Sequence, residues 1–238
     1  IPDGLESVGN KAFSDCTGLM TVPLVPASVT SMGSYVFSGC VGLVDVTIPE
    51  GTPVIGDYEF SGCANLASVT IPSTVTSIGG YAFENCAALK ALIVPDSVES
   101  MGRSALAGCA SLESLTVPFV GTRRANEADG ALAACWFEMS GSFDGGYEVW
   151  QSYEYSTSPV VHRMHACVPV SLKSLTITDE TIVGFNALAG FSSLTNVSLN
   201  AGLKTIGGEA FRGCSGLVSM AIPDGLESVG NKAFSDCT

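Results

Sequence analysis

The chain has 238 residues, 46% of them apolar and only 14% charged, with 10 Lys and Arg against 23 Asp and Glu for a net charge of −13. That composition excludes a disordered chain, and phosphate backbones repel so acidic a surface when its only adjacent basic pair is Arg123–Arg124, so nucleic acid is not an expected partner. Mean hydropathy is positive, yet no run of about 18 uncharged apolar residues occurs, so no membrane span is expected in this segment and the apolar content points to a repeated core.

Taken in chain order, residues 1–118 are periodic. A glycine recurs about every 23 residues at Gly9, Gly33, Gly56, Gly79 and Gly102, and again at Gly184, Gly207 and Gly230. Four residues on stands an apolar anchor: Phe13, Phe37, Phe60, Phe83, Leu106, Leu188, Phe211 and Phe234. Three further on come Cys16, Cys40, Cys63, Cys86 and Cys109, then Phe191, Cys214 and Cys237. A leucine follows at 19, 43, 66, 89, 112, 194 and 217, with Leu172 opening the coil after a break. The unit reads C-x-x-L-x-x-V-x-I-P-x-x-V-x-x-I-G-x-x-A-F-x-x, in eight copies.

Each position has a physical reason. The alternating end of L-x-x-V-x-I predicts a strand with one face buried. The proline after it stops the strand because it cannot donate the next ladder bond. V-x-x-I-G predicts a second short strand with glycine turning the corner. G-x-x-A-F-x-x-C suits one helical or 3₁₀ turn. No coil buries its apolar side alone, so the coils stack, each on its neighbours. The expected fold is mainly β: a right-handed solenoid of about 23-residue coils with a parallel β ladder. Eight coils at about 4.8 Å per strand give a rod on the order of 40 Å long.

The expected organisation is solenoid coils over 1–118, an insertion over 119–171 hinged near Pro118 and Pro169, and solenoid coils resuming over 172–238. The insertion opens on Arg123, Arg124, Asn126 and Glu127. Runs at 136–143 and 147–155 flank Asp144–Gly145, which predicts a hairpin, and a further strand is expected around Val160–Val168.

The repeat resembles the BspA-like (Treponema pallidum-type) leucine-rich repeats of bacterial and protist surface proteins over about three quarters of the chain. That resemblance implies a curved right-handed solenoid, an extracellular or cell-surface setting, and adhesion or partner binding, with no catalytic residues and no cofactor to carry over. The stretches V-P-F-V-G-x-x-R at Val117–Arg124 and S-L-K-S-L-T-I-T at Ser171–Thr178 are similar to those bounding an insertion in this family, where a Tyr-rich hairpin leaves the solenoid and returns.

Two surfaces are candidates for a protein or glycan ligand. Trp136, Tyr147, Trp150, Tyr153 and Tyr155 carry the aromatic surface that dominates interface hot spots, or else form a small core for the insertion. The outward strand positions Asp45, Thr47, Ser68, Thr70, Ser114, Thr116, Ser174, Thr176, Asn196 and Ser198 form a flat polar face. The ladder cysteines repeat at the coil period and read as small apolar filler, not as metal ligands. Cys135 and Cys167 are off the ladder and form either a disulfide clip on the hairpin or a free pair. His162, His165 and Cys167 spell H-x-x-H-x-C, but residues 162 and 165 on a strand face opposite ways and no fourth ligand is evident, so no metal site is expected. A Cys–His nucleophile would need a cleft and an oxyanion site that sequence proximity does not supply. Asn196-Val197-Ser198 is a formal glycosylation sequon.

The chain lacks an initiator Met and a signal peptide and reads as an internal piece of something longer. Residues 1–17, IPDGLESVGNKAFSDCT, recur unchanged at 222–238, an offset of 221. Ordinary coils diverge: residues 71–87 match residues 1–17 at only seven of 17 positions. Identity at polar, non-ladder positions is not required by packing. With both ends falling mid-coil, the alternative expectation is a structural unit of a head-to-tail surface fibre with a period of about 221 residues.

Overall fold

The outward–inward–outward tripeptide of each coil forms a short strand whose central residue enters the core. These strands are β3 (Asp45–Thr47), β5 (Ser68–Thr70), β7 (Ala91–Ile93), β9 (Ser114–Val117), β12 (Ser174–Ile177), β14 (Asn196–Ser198) and β16 (Ser219–Met220). A second row follows the prolines: β1 (Ser7–Val8), β2 (Ser31–Met32), β4 (Val54–Ile55), β6 (Ser77–Ile78), β8 (Ser100–Met101), β13 (Ile182–Val183), β15 (Thr205–Ile206) and β17 (Ser228–Val229). The computed structural model describes residues 4–22, 28–29, 31–122, 136–137, 146–154 and 161–238, with Ser31, 146–154 and 161–165 described by backbone alone. Pairing within both rows is parallel and in register from coil to coil, Val54 opposite Ser77 and Ser77 opposite Ser100. The molecule is a mainly β solenoid with almost no helix, as the periodicity predicts.

The third side of each coil departs from the expected helical turn. Hydrogen-bonded turns replace it, as in Ser38 N–H to Tyr35 O (3.2 Å), Cys40 N–H to Phe37 O (3.2 Å) and Leu43 N–H to Cys40 O (3.1 Å). Among the described residues a 3₁₀ element occurs only at 136–137. Alternate N–H groups of this side reach the next coil: Tyr35 to Asp57 O (3.1 Å), Phe37 to Glu59 O (3.0 Å) and Gly39 to Ser61 O (2.8 Å). Those donors stay available because two positions per coil are left-handed, which a regular helix forbids. One holds Tyr35, Tyr58 and Tyr81 at φ of 61, 57 and 58; the other holds Gly39, Gly62 and Asn85 at 73, 76 and 58.

At Gly33, Gly79, Gly102, Gly207 and Gly230 the ladder glycine serves a different end from the one expected. Gly207 is not left-handed; a Cβ there would stand 2.6 Å from the carbonyl carbon of Gly184 in the preceding coil. Glycine is needed because coil backbones touch at this corner.

The core is a set of columns along the rod. Phe37, Phe60 and Phe83 are at most 1% exposed and stack at centroid distances of 5.6 and 5.7 Å, the spacing that stacked strands impose on identical side chains. Leu66, Cys86 and Leu89 are buried as expected. Val69 and Ile71 are only half-buried, at the place where β5 and β7 do not pair in the sheet.

The coil that carries the insertion is not interrupted. β9 pairs β7 on one side and β12 on the other, with Leu115 opposite Leu175. The residues between do not all leave the solenoid. Phe119, Val120, Trp136, Phe137, Ala166 and Val168 lie in the common core. Met101 N–H donates to Thr122 O (3.0 Å) and Leu106 N–H to Trp136 O (2.9 Å), the bonds that a regular coil would make. Phe137 thus takes the anchor slot, and its ring meets Phe191 edge-on at 6.3 Å. The boundary drawn at 119–171 is therefore wider than the excursion, because only Pro118 and Pro169 are visible as punctuation.

The hairpin is also arranged differently. β10 (Gly146–Glu154) pairs antiparallel with β11 (Val161–Pro169), Gly146 opposite Pro169 and Glu154 opposite Val161. The run expected to begin a first hairpin strand at Trp136 instead starts in the coil. Asp144–Gly145 and the polar stretch at 123–127 lie outside the described residues.

Candidate functional site

Of the aromatic residues expected to meet a ligand, Trp136 is 1% exposed and its indole Nε1–H donates to Gly121 O at 2.7 Å. It is a core residue, held inside because its polar edge is satisfied there. Tyr147, Trp150 and Tyr153 are on β10, opposite Val168, His165 and His162. By strand alternation positions 147 and 153 share one face and 150 the other, so the backbone does not gather all three on one surface. Tyr155 and Cys135 lie outside the described residues. Cys167 is fully buried with a free thiol. Positions 162 and 165 fall on opposite faces of β11, and among the described residues no group of three or more His, Cys, Asp or Glu is placed to hold a metal.

The polar strand face is laid out in part as expected: Ser114, Thr116, Ser174 and Thr176, on the paired β9 and β12, are half-buried. Asp45, Thr47, Ser68, Thr70, Asn196 and Ser198 are exposed, and Ser68 Oγ donates to Asp45 Oδ1 at 2.5 Å. Ile93, 66% exposed, interrupts the polar rows.

The ladder cysteines do more than fill space. From Cys40 onward each ladder Sγ–H donates to the carbonyl of the preceding coil's anchor, as in Cys63 to Phe37 O, Cys86 to Phe60 O and Cys109 to Phe83 O, all at 3.2 Å. Burial pushes the Cys63, Cys109 and Cys214 thiols up to about 12, which removes the thiolate that nucleophilic or metal chemistry requires.

A surface that the sequence reading does not single out is the tyrosine column. Tyr35, Tyr58 and Tyr81 are half-buried and stack at 4.3 and 4.5 Å with ring planes within 8°. Lys11 Nζ lies 5.2 Å from the Tyr35 ring centroid, a cation–π cap on the stack. Desolvation in the stack, with a hydrogen bond that the Tyr58 phenol donates to Tyr35, pushes the Tyr58 phenol up to about 12. The signal available in the sequence is that the three tyrosines recur at the coil period.

Next to this column, on the outer side of β4, β6 and β8, is an open groove of about 480 Å³ whose lining includes Val54, Asp57, Ser77, Gly80, Ser100 and Thr122. Asp57 Oδ1 accepts the Gly80 N–H at 2.7 Å. One column further on, Glu59 replaces the usual alanine. It is 4% exposed and accepts the Gly56 N–H through Oε2 at 2.5 Å. Burial pushes its carboxyl up to about 7 against that hydrogen bond.

Sequence comparison finds six copies of the BspA type leucine rich repeat region, matching residues 1–120 and 165–238. No curated protein matches the chain in sequence. Among solved structures, a leucine-rich repeat protein from Bacteroides ovatus superposes with a TM-score of 0.55 at 22% identity, covering 100% of this chain and 69% of its own. A leucine-rich repeat protein from Eubacterium ventriosum gives 0.54 at 19% identity, with 99% of this chain and 63% of its own covered. A leucine rich cell surface protein from Faecalibacterium prausnitzii gives 0.46 at 24% identity, over 98% of this chain and 61% of its own.

Proposed function

Because the chain belongs to the BspA-type leucine-rich repeat family, we propose that it is an extracellular, non-catalytic repeat scaffold that binds protein or glycan ligands at a cell surface. The observation that carries this reading is the stack of coils with small polar side chains at most outward strand positions over one continuous core. Such a surface is held rigid before a ligand arrives, so little ordering entropy is lost on binding. The buried thiols and the placement of Trp136 leave the polar face, the tyrosine column and the hairpin as contact surfaces. Among the described residues no helix is long and apolar enough to cross a membrane. The test is binding of the immobilised chain to a panel of extracellular-matrix proteins and glycans, with and without residues 138–165. Binding to no member of the panel would sink the scaffold reading, and binding unchanged by the deletion would place contact on the coils.

The alternative, a unit of a tandem-array surface fibre, is favoured by one observation. Residues 1–17 recur unchanged at 222–238, Lys11 and Lys232 among them, although the left-handed φ of 59 and 56 that these two share is common to the same slot of every coil. Both lysines are exposed and no packing demand keeps them identical. The intact mass of the native protein and its particle length by electron microscopy test it; a 24.4 kDa monodisperse particle would exclude the fibre.

A further inference from the structure

The groove beside the tyrosine column exists because one side chain is missing. The position after the ladder glycine carries Asn10, Ser34, Asp57, Arg103, Phe185 and Asn231 in other coils, but glycine at Gly80. Gly208 repeats the glycine, yet there the Phe185 ring fills the space, 3.3 Å from where a Cβ would stand. The backbone conformation does not demand glycine at Gly80, and a Cβ would need only a few tenths of an ångström of give from its neighbour. Gly80 is not left-handed, and a Cβ there would lie 3.3 Å from Arg103 O and 3.8 Å from Asp57 Oδ1. Its neighbour Gly79 differs, since a Cβ there would stand 2.5 Å from Asp57 N. Gly79 is fixed by packing; Gly80 keeps space open.

The lining defines what that space suits. Ser77, Ser100 and Thr122 supply hydroxyls that both donate and accept. Asp57 commits Oδ1 to the Gly80 N–H and leaves its carboxylate otherwise available to a hydroxyl donor. Val54, 46% exposed, gives an apolar wall. Among the described residues neither Lys nor Arg lines the groove, so this lining offers an anion no cationic partner, and the chain carries −13 net charge. A volume of about 480 Å³ lies within the small-ligand range and suits one or two sugar rings. Tyr58 and Tyr81 follow the lining residues Asp57 and Gly80 directly in the chain, so their ring edges and phenols are available to further sugars.

We propose that the groove over Gly80, bounded by Asp57, Ser77, Ser100 and Thr122, binds the end of a neutral glycan chain. This rests on the scaffold reading above and names the ligand class of one of its surfaces. The test is a glycan array carrying neutral, sulfated and sialylated oligosaccharides, followed by titration of the best neutral ligand. Parent chain, Gly80→Phe and Asp57→Asn are compared, with thermal midpoints measured for each. Gly80→Phe copies the side chain that Phe185 already presents in a later coil, and Asp57→Asn keeps the acceptor for Gly80 N–H. Both are expected to unfold within about 3 °C of the parent and to bind at least about tenfold more weakly, the scale of one lost charge-assisted hydrogen bond or an occluded site. Parent binding confined to anionic glycans or to cationic peptides overturns the proposal, as does no glycan binding at all. Neutral-glycan binding that survives in both variants overturns the groove but leaves the scaffold reading standing. Should Gly80→Phe fail to fold, Asp57→Asn alone decides.

Discussion

Replacing Phe60 by alanine removes a fully buried ring that lies between Phe37 at 5.6 Å and Phe83 at 5.7 Å, with interplanar angles of 12° and 5°. Core Phe→Ala changes cost about 3–5 kcal/mol through lost transfer and the cavity left behind. Two ring–ring contacts at about 0.5–1.5 kcal/mol each fall partly within that figure, so the upper half of the range is expected. The column offers its own control. Leu106 and Leu188 occupy the same slot and are fully buried, so Phe60→Leu should lose only about 1–1.5 kcal/mol, near the limit for a conservative core swap. Urea unfolding followed by circular dichroism measures both, reading midpoint and slope separately because a solenoid can unfold in segments. A Phe60→Ala midpoint equal to that of the parent, or a Phe60→Leu loss as large as that of alanine, would refute the assignment of this column as the principal packing contact between coils.

Glu59 makes stability pH-dependent. Its folded pKa of about 7 lies above the ordinary 4.5, so the folded state holds the proton more tightly; the stability is fully present below pH 4.5 and falls as pH rises through 7, by about 3 kcal/mol. Glu59→Gln should flatten that part of the pH profile in thermal melts between pH 4 and 8, and an unchanged slope would show that Glu59 is not its source. Gly207→Ala, whose Cβ would meet Gly184 C at 2.6 Å, should lower the melting point, while Gly208→Ala, with its nearest contact at 3.3 Å, should be far milder; equal effects would remove the backbone-contact explanation. The thiols of Cys63, Cys86 and Cys109 should resist alkylation until the chain unfolds. Titration after denaturation should find nine free thiols, Cys167 among them; seven would show a Cys135–Cys167 bond instead.

The coil, the two strand rows and the inward Phe, Cys and Leu columns are legible because a fixed period ties each residue type to one slot. What is not legible follows from backbone geometry that side-chain types do not encode. The left-handed position at Tyr35, Tyr58 and Tyr81 is one for which tyrosine has no preference, so its turn looks helical. The thiol-to-carbonyl bonds depend on where the previous coil's carbonyl points. Trp136 and Phe137 read as hairpin residues because the step from Leu106 to Phe137 is longer than one period, although Phe137 fills the next anchor slot. The tyrosine column is hidden for a simpler reason. Tyr35, Tyr58 and Tyr81 recur one coil apart, but tyrosine is common on exposed surfaces and its type alone does not mark a stacked slot.

Threading the insertion through a coil also changes the order in which this chain can assemble. Elsewhere a strand finds its neighbour one coil later, as Asp45 finds Ser68; Ser114 must wait for Ser174, more than twice as far along the chain. Closing the longer loop adds about 0.9 kcal/mol of chain entropy, and ordering of Trp136 and Phe137 must accompany it before the two sides can zip together. Contacts in a solenoid are otherwise local and nucleate anywhere, so the coils before β9 and those after β12 are each free to form early and to meet late. The slowest step of folding, and the first seam to open under load or denaturant, should be the junction between β9 and β12, making the rod kinetically two blocks even though its core is one.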